Sequence, residues 1–428
     1  MSFIPRDLTP EKLRDIQDER LQWTVRHVYE NSRFYRDRFD KSNIDPKGIK
    51  SVDDLKYLPF TDKQDLQDGY PFPLLSVPQE DVVRIHASSG TTGKRKILCY
   101  TQNDINVWAD MFARCYELAG LTRKDRVQIA VGYGLWTAGA GFQIGCERFG
   151  AMAVPLGPAN AQMHLEMMVD MQSTVFCSTA SMALLMAEEV HKNGLKDKIS
   201  LRTIILGAER HSESMRKRIK ELMGVTDIFD IYGLTELYGP GTGLDCENHR
   251  GIHYWADNYI FEIIDPNTGE VLPEGTHGEL VVTTLRKEAS PLIRYRTHDV
   301  TRIVNGPCPC GTPFPRHDRI SGRTDDMFIY RAVNIYPSHI DRIISGIDGL
   351  GSEYQIHLEQ QENGRDNMLI KVERAACSGS ENDKSLSDKL ATEIRKRILV
   401  RSSIEIVDHC ALPRTERKSK RVFDHRTI

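Results

Sequence analysis

Apolar positions fall into successive rhythms along the chain. Over residues 1–80, Leu13, Ile16, Leu21, Trp23, Val25 and Val28 recur among charges before Pro59, Pro71, Pro73 and Pro78 interrupt, which predicts helices leading into a loop. From Val82 onward, short apolar runs alternate with longer amphipathic stretches: Val82–Ile85, Val127–Val131, Ala151–Val154, Thr174–Cys177, Thr203–Leu206 and Ile228–Ile231. That alternation predicts βα units and a largely parallel sheet with covered faces. After about residue 250 the strand signals crowd together, with Tyr259–Ile264 and Gly278–Val282 flanking the turn Asp265–Gly269. This spacing predicts a small antiparallel unit attached to the sheet domain.

Beyond Gly322 the pattern changes again. A helix is predicted after Pro337 with Ile340, Ile343 and Ile344, then strands at Tyr354–Leu358 and Met368–Val372. A second helix sets Leu386, Leu390, Ile394 and Ile398 four residues apart, and Ile404–Val407 reads as a closing strand. The result is a compact βαββαβ-like domain.

A chain of 428 residues holds more than one domain of usual size. Its 57 Lys+Arg nearly balance 60 Asp+Glu, leaving −3, so no overall field recruits nucleic acid or an anionic membrane. Nine cysteines, an odd number, with no secretory leader at the charged N-terminus, argue against a disulfide framework and for a reducing, cytoplasmic compartment. Val127–Cys146 has no charge over twenty positions, the length of a membrane span. Its two Gln and five Gly instead favour a buried strand entering a glycine-rich loop.

The stretch Ser88-Ser89-Gly90-Thr91-Thr92-Gly93-Lys94 follows a predicted strand. Glycines let successive N–H groups face one anion, while the hydroxyls and the lysine add donors for phosphate oxygens. The spacing is not that of a Walker A loop, and alone the stretch reads equally well as a plain turn. It is followed in order by Gly207-Ala208-Glu209, Tyr232-Gly233-Leu234-Thr235-Glu236, Tyr295–Asp299, Gly322–Asp326 and Arg331–Asn334. The ordered set resembles the adenylate-forming superfamily of acyl- and aryl-CoA ligases. His86–Gly93, Tyr133–Thr137 and the run from Gly278 through Asp299 to Pro337 resemble most its phenylacetate–CoA ligase family, over nearly the whole chain from about residue 5.

The resemblance implies an α/β fold. It would comprise a large N-terminal domain (1–322) with a mainly parallel sheet and an appended antiparallel β unit, a hinge at 323–326 that includes Asp325, and a small mobile α+β domain (327–428). It implies ATP- and Mg²⁺-dependent ligation of an aryl acid, of the phenylacetate type, to coenzyme A through an acyl-adenylate. Ser88–Lys94 would hold the β- and γ-phosphates, Thr235 would donate to the α-phosphate, and Glu236 would ligate Mg²⁺. Asp299 would accept from the ribose hydroxyls, Tyr232 with Gly207, Ala208 and Glu209 would wall the adenine, and Asp230, Gly233 and Arg323 complete the nucleotide site. Lys418, in Pro413-Arg-Thr-Glu-Arg-Lys418, would reach across the α-phosphate and the attacking carboxylate. Tyr133, Trp136, Ala138, Gly139, Leu234 and Gly239 would line the acid pocket.

Three positions depart from the family pattern: Arg417 stands for a glycine, Ala332 for a frequent glycine, and Trp136 for a frequent phenylalanine. Read from spacing alone, Cys308-Pro-Cys310 with Cys246 and His253 are equally free buried thiols or a tetrahedral Cys₃His site. The resemblance favours a structural zinc there. It also suggests a homodimer, and no nucleic-acid or membrane partner. Two other functions compete: an adenylyltransferase that stops at AMP transfer, and a non-catalytic sensor of an aryl acid or nucleotide.

Overall fold

The structure is a computed structural model that describes residues 2–88, 94–209, 211, 213–325, 328–330, 333–360, 366–376, 378–413 and 421–426. The chain opens with helices α1 (Pro10–Asn31), α2 (Arg33–Lys41) and α3 (Lys63–Asp68), followed by the hairpin of β1 (Arg84–Ala87) and β2 (Ile97–Tyr100). Thr9 caps α1 by accepting from the Lys12 N–H at 3.3 Å, with Pro10 at the first helical position, where no N–H is needed. Helix α4 (Gln102–Leu118) starts with a reciprocal cap between Thr101 and Asp104.

Strands β3 (Arg126–Ile129), β4 (Met152–Val154), β5 (Val175–Thr179), β6 (Thr203–Gly207) and β7 (Asp227–Leu234) alternate with α5 (Thr137–Phe149), α6 (Ala161–Asp170), α7 (Ala180–Lys192) and α8 (Glu213–Met223). The expected parallel pairing is present between β3 and β4, β3 and β5, and β6 and β7. After β7 the chain reverses in a four-residue turn (235–238), too short for a crossover helix, so β8 (Gly239–Asp245) runs antiparallel to it. β9 (Ile252–Tyr254) continues the same sheet, which ends on β13 (Ile303–Val304) and β14 (Arg316–His317) in the order β13-β14-β9-β8-β7-β6-β5-β3-β4. A second, antiparallel sheet is built on β10 (Tyr259–Ile264), β11 (Gly278–Thr284) and β12 (Tyr295–Thr301). The antiparallel part is thus two things, an extension of the main sheet and a sheet of its own.

One expectation is corrected. Gly139, Gly141 and Gly145 lie in helix α5, not in a loop. Each glycine lowers helix propensity by roughly 0.5–1 kcal/mol relative to alanine, but here the missing side chains admit neighbouring aromatic rings. A Cβ at Gly145 would lie 2.2 Å from the Phe112 Cβ, and one at Gly141 would lie 2.6 Å from both the Phe112 Cε2 and the Trp108 Cζ2 of α4. Burial of these rings between two backbones outweighs the propensity loss. Among the described residues no helix is long and apolar enough to cross a membrane.

The chain divides into two compact units. The first comprises 1–178, 199–208 and 227–320, and its core runs from Leu21 and Phe39 through Trp108 and Ile205 to Trp255 and Val282. The second comprises 179–198 and 209–226, which carry α7 and α8, together with 321–428. In it β15 (Gly322–Arg323) precedes the hairpin of β16 (Phe328–Tyr330) and β17 (Val333–Ile335), then α9 (Pro337–Ser345), β18 (Leu350–Gln360), β19 (Asp366–Arg374), α10 (Asp383–Ile398), β20 (Ser403–Val407) and β21 (Val422–Asp424). Leu386, Leu390, Ile394 and Ile398 of α10 pack on Ile356, Ile370 and Val372, as their spacing predicts. The edge strand β21 has no counterpart among the strands expected from the sequence, and pairs parallel to β18. Arg421, beside it, is anchored: its guanidinium pairs with Glu353 at 2.7 Å and lies 4.8 Å from the Tyr354 ring.

Gly145→Ala is expected to destabilise the first unit by about 1–3 kcal/mol through overpacking against Phe112, despite alanine's better helix propensity. Gly48→Ala, with nothing within 4 Å of the new methyl group, should shift stability by no more than about 0.5 kcal/mol. Denaturant unfolding of both variants checks this, and equal midpoints would remove the close-packing explanation.

Candidate active site and metal cluster

The turn after β7 is forced by two glycines. A Cβ at Gly233 would sit 2.0 Å from the Gly239 carbonyl oxygen, and Gly239 has φ +122, in the left-handed region that favours glycine. Between them Tyr238 also takes positive φ, +121, a strained conformation that persists where surrounding contacts over-determine it. Those contacts are buried side chains on the turn's carbonyls. The Tyr100 hydroxyl donates to Thr235 O at 3.3 Å and Tyr238 O at 3.2 Å, and Tyr259 donates to Leu237 O at 2.8 Å.

With its backbone held in this way, Glu236 presents a buried carboxylate to Lys96, whose ammonium donates to Oε1, and to the Tyr295 hydroxyl at 3.3 Å from the same oxygen. Burial opposes ionisation of Glu236, but the charge and hydrogen bond of Lys96 outweigh it and hold the carboxyl below its usual range. Lys96 was missed in the sequence. It is the second lysine of Gly93-Lys94-Arg95-Lys96; Lys96 is half-buried just before β2, whereas Lys94 is exposed with its Nζ 5.4 Å from the Tyr70 ring centroid. The Ser88 N–H donates to Lys96 O at 3.1 Å, which ties the start of the Ser88–Lys94 stretch to the lysine that meets Glu236. Ser89–Gly93 lie outside the described residues, as do Lys418, Arg417 and Ala332.

Upstream on β7, the Tyr232 hydroxyl donates to Asp299 Oδ2 at 2.7 Å, and the Asp299 N–H donates to Thr297 Oγ1 at 3.1 Å. Asp230 is engaged elsewhere: its carboxylate pairs with Arg319 at 2.7 Å and its N–H donates to Asp245. Gly207 ends β6 with its α-carbon against Ile231, and Ala208 has φ +66. In the second unit the Glu209 carboxylate accepts the Ser181 N–H at the start of α7, at 2.8 Å, and Arg323 pairs with Asp325 at 2.9 Å.

Of the acid-pocket candidates, Tyr133 and Gly139 meet directly, since a Cβ at Gly139 would lie 2.5 Å from the tyrosine ring. The Tyr133 hydroxyl is buried with no partner among the described residues, and burial pushes its phenol up to about 12. An orphan donor of this kind is costly unless something else uses it. Trp136 is 38% exposed, with the Arg95 guanidinium 5.9 Å from its ring, so it is not a core aromatic. Ala138 and Leu234 are half-buried, and Leu234 and Gly239 face each other across β7 and β8.

The third group assembles at the far strands of the main sheet. Cys246, His253, Cys308 and Cys310 have their ligand atoms within 4.8 Å of one another. Cys246 Sγ lies 3.5 Å from Cys308 Sγ, and Cys310 Sγ lies 3.5 Å from His253 Nε2. β8, β9 and β14 are neighbours, and Gly311, at φ +73, closes the Cys308–Cys310 knuckle between β13 and β14. His253 Nδ1 meets the Phe314 carbonyl at 2.8 Å, which fixes that nitrogen as the donor and leaves the Nε2 lone pair facing the thiols. Burial lowers the imidazole to about 4, keeping it neutral. Three sulfurs and one neutral imidazole nitrogen are the donor set of a closed tetrahedral zinc site.

Comparison with known proteins agrees along the whole chain. Residues 10–285 match the AMP-binding enzyme family and residues 332–426 match the AMP-binding enzyme C-terminal domain. The phenylacetate-coenzyme A ligase of Escherichia coli (strain K12) is 40% identical over 424 residues, covering 98% of this chain and 96% of that protein. That of Thermus thermophilus is 40% identical over 427 residues, covering 99% and 92%. Among solved structures, 2-hydroxyisobutyryl-CoA ligase in the postadenylation state in complex with 2-HIB-AMP superposes with a TM-score of 0.88 at 27% identity, covering 97% of this chain and 90% of that one. With two family regions in order and 40% identity at nearly full length, the chain belongs to the phenylacetate–coenzyme A ligase family of AMP-binding enzymes.

Proposed function

We propose that this protein activates an aryl acid of the phenylacetate type with ATP and transfers the acyl group to coenzyme A. The observation that carries this reading is the ionised, buried Glu236 held against Lys96 on the same strand-and-turn segment as Tyr232, whose hydroxyl donates to Asp299 of β12. A metal-ligating carboxylate, a lysine that bears on phosphate, and an acceptor for ribose are what binding ATP in a fixed pose requires.

In the first step a carboxylate oxygen of the acid attacks the α-phosphorus, the bond to the β-phosphate oxygen breaks, and pyrophosphate leaves. Negative charge grows at the α-phosphate, so cations preset around it favour the transition state over the ground state. Lys418 supplies that charge from the C-terminal segment, and Lys96 is released toward phosphate when Glu236 turns to its ligand. Mg²⁺, when bound by Glu236, neutralises phosphate charge and draws electrons from phosphorus. In the second step the coenzyme A thiolate attacks the acyl carbon and AMP leaves through cleavage of the acyl C–O bond. Tyr133, packed on Gly139, offers a flat aromatic wall for the acid's ring. Arg323 and Asp325 act at the hinge on which the C-terminal domain changes position between the two steps. Cys246, His253, Cys308 and Cys310 hold one structural zinc that joins the β8–β9 hairpin to the knuckle.

ATP–pyrophosphate exchange measured over a panel of acids should be driven by arylacetates, with AMP release appearing only when coenzyme A is added. Exchange without coenzyme A-dependent AMP release would favour the adenylyltransferase reading, and ATP binding without exchange for any acid the sensor. Lys418→Ala should slow adenylation by about 10²-fold or more while leaving thioester formation from supplied acyl-adenylate largely intact; equal loss of both half-reactions would remove this role. Elemental analysis of protein purified without chelator should find one zinc per chain, lost in Cys308→Ser, and absence of zinc from the parent protein rejects the site.

A further inference from the structure

Lys287 is wholly buried and has no part in the roles assigned above. Its ammonium donates to the Glu236 main-chain carbonyl at 3.2 Å and lies 4.5 Å and 4.9 Å from the ring centroids of Tyr238 and Tyr100. A buried ammonium is costly unless its charge is answered, and here two ring faces, a carbonyl and the nearby Asp104 answer it. Asp104 in turn accepts the N–H groups of Thr101, Glu288 and Ala289 at 3.0, 2.8 and 3.0 Å, and the Tyr238 hydroxyl at 3.3 Å. The N-terminus of α4, the 287–289 segment and the Glu236 turn are therefore one buried polar network. A methionine would fill the same volume. What the ammonium adds is a donor aimed at the one carbonyl whose residue bears the site's carboxylate, while tyrosine hydroxyls hold the other three. Burial pulls Lys287 down to about 8, yet a neutral amine still donates, so the contact survives either charge state.

We propose that Lys287 is a positioning residue: by fixing the Glu236 peptide from the buried side, it sets the direction in which the Glu236 carboxylate meets the divalent ion that accompanies ATP. This rests on the reading of Glu236 as that ion's ligand. Releasing the carbonyl frees the peptide plane between Glu236 and Leu237 to rotate, and the carboxylate then loses its aim.

The test compares the full chain with Lys287→Met, Lys287→Gln and Glu236→Gln, using Mn²⁺ titrated by electron paramagnetic resonance in the presence of ATP and no acid, together with thermal unfolding midpoints and the Mg²⁺ dependence of pyrophosphate exchange. Lys287→Met should weaken Mn²⁺ binding about tenfold, equivalent to ~1.4 kcal/mol, and raise the Mg²⁺ concentration for half-maximal exchange by a similar factor with the KM for the acid unchanged. Lys287→Gln, which keeps a donor, should recover most of that loss. Unchanged Mn²⁺ affinity in Lys287→Met alongside a loss in Glu236→Gln overturns the proposal. No loss in Glu236→Gln overturns the reading of Glu236 instead. Parallel falls in Mn²⁺ affinity, acid KM and unfolding midpoint in both Lys287 variants mean a merely structural lysine and also overturn it. Should Lys287→Met fail to fold, Lys287→Leu, which also removes the donor from the Glu236 carbonyl, takes its place, and wild-type Mn²⁺ affinity there is equally decisive against the proposal.

Discussion

The close approach of β7 and β8 is the constraint on which the rest of the site depends. Contact at 2.0 Å for any Cβ at Gly233 leaves no room for a side chain, and the reversal that follows drives Tyr238 and Gly239 to positive φ. Backbone strain of that order, roughly 1–3 kcal/mol per residue, persists only with compensation. Here the compensation is hydrogen bonding from below: Tyr100, Lys287 and Tyr259 together satisfy the carbonyls of Thr235, Glu236, Leu237 and Tyr238. Turning the carbonyls inward leaves Glu236 free to face Lys96. The same reversal makes β8 antiparallel, and so sets up the β8–β9–β14 array that gathers Cys246, His253 and the Cys308–Cys310 knuckle.

Strand alternation made the parallel half of the sheet legible, because runs such as Thr203–Leu206 are buried on both faces and carry an unbroken apolar signature. The fourfold spacing of Leu386 to Ile398 was legible for the complementary reason, one buried stripe on an otherwise solvated helix. Helix α5 was misread since glycine carries a propensity signal opposite to its role there: what matters is the ring of Phe112 lying against bare backbone, and no local pattern announces a partner on another helix. Strand β21 escaped because three residues are too few to show a period, and its anchor, Arg421, looks like any other charge in a basic run until Glu353 and Tyr354 surround it.

The site divides in the same way. Ordered motifs singled out Tyr232, Glu236 and Asp299 as candidates, and the fold joins Tyr232 to Asp299 and turns Glu236 inward. Residues whose importance lies in what they touch were not legible. Lys96 sits in a run of three basic residues where nothing distinguishes it except distance to a carboxylate 140 positions away, and Lys287 reads as an ordinary exposed lysine between Arg286 and Glu288.

Glu236 shows why such partners matter to the chemistry. A carboxylate buried alone would take up a proton, since desolvation penalises the charged form, and a protonated acid cannot serve a hard cation. Lys96 keeps it ionised, but a lysine that never let go would also exclude the ion proposed for this carboxylate. In the proposed reading the ammonium has a better destination when ATP arrives, because the Ser88–Lys94 stretch, whose Ser88 N–H donates to the Lys96 carbonyl, would bring phosphate charge to the same segment. Exchange of a carboxylate partner for phosphate would then cost the lysine little, because both are anions. Lys96 and Lys287 divide the work between them: one keeps the carboxylate charged until its ligand comes, and the other keeps the peptide beneath it from turning away.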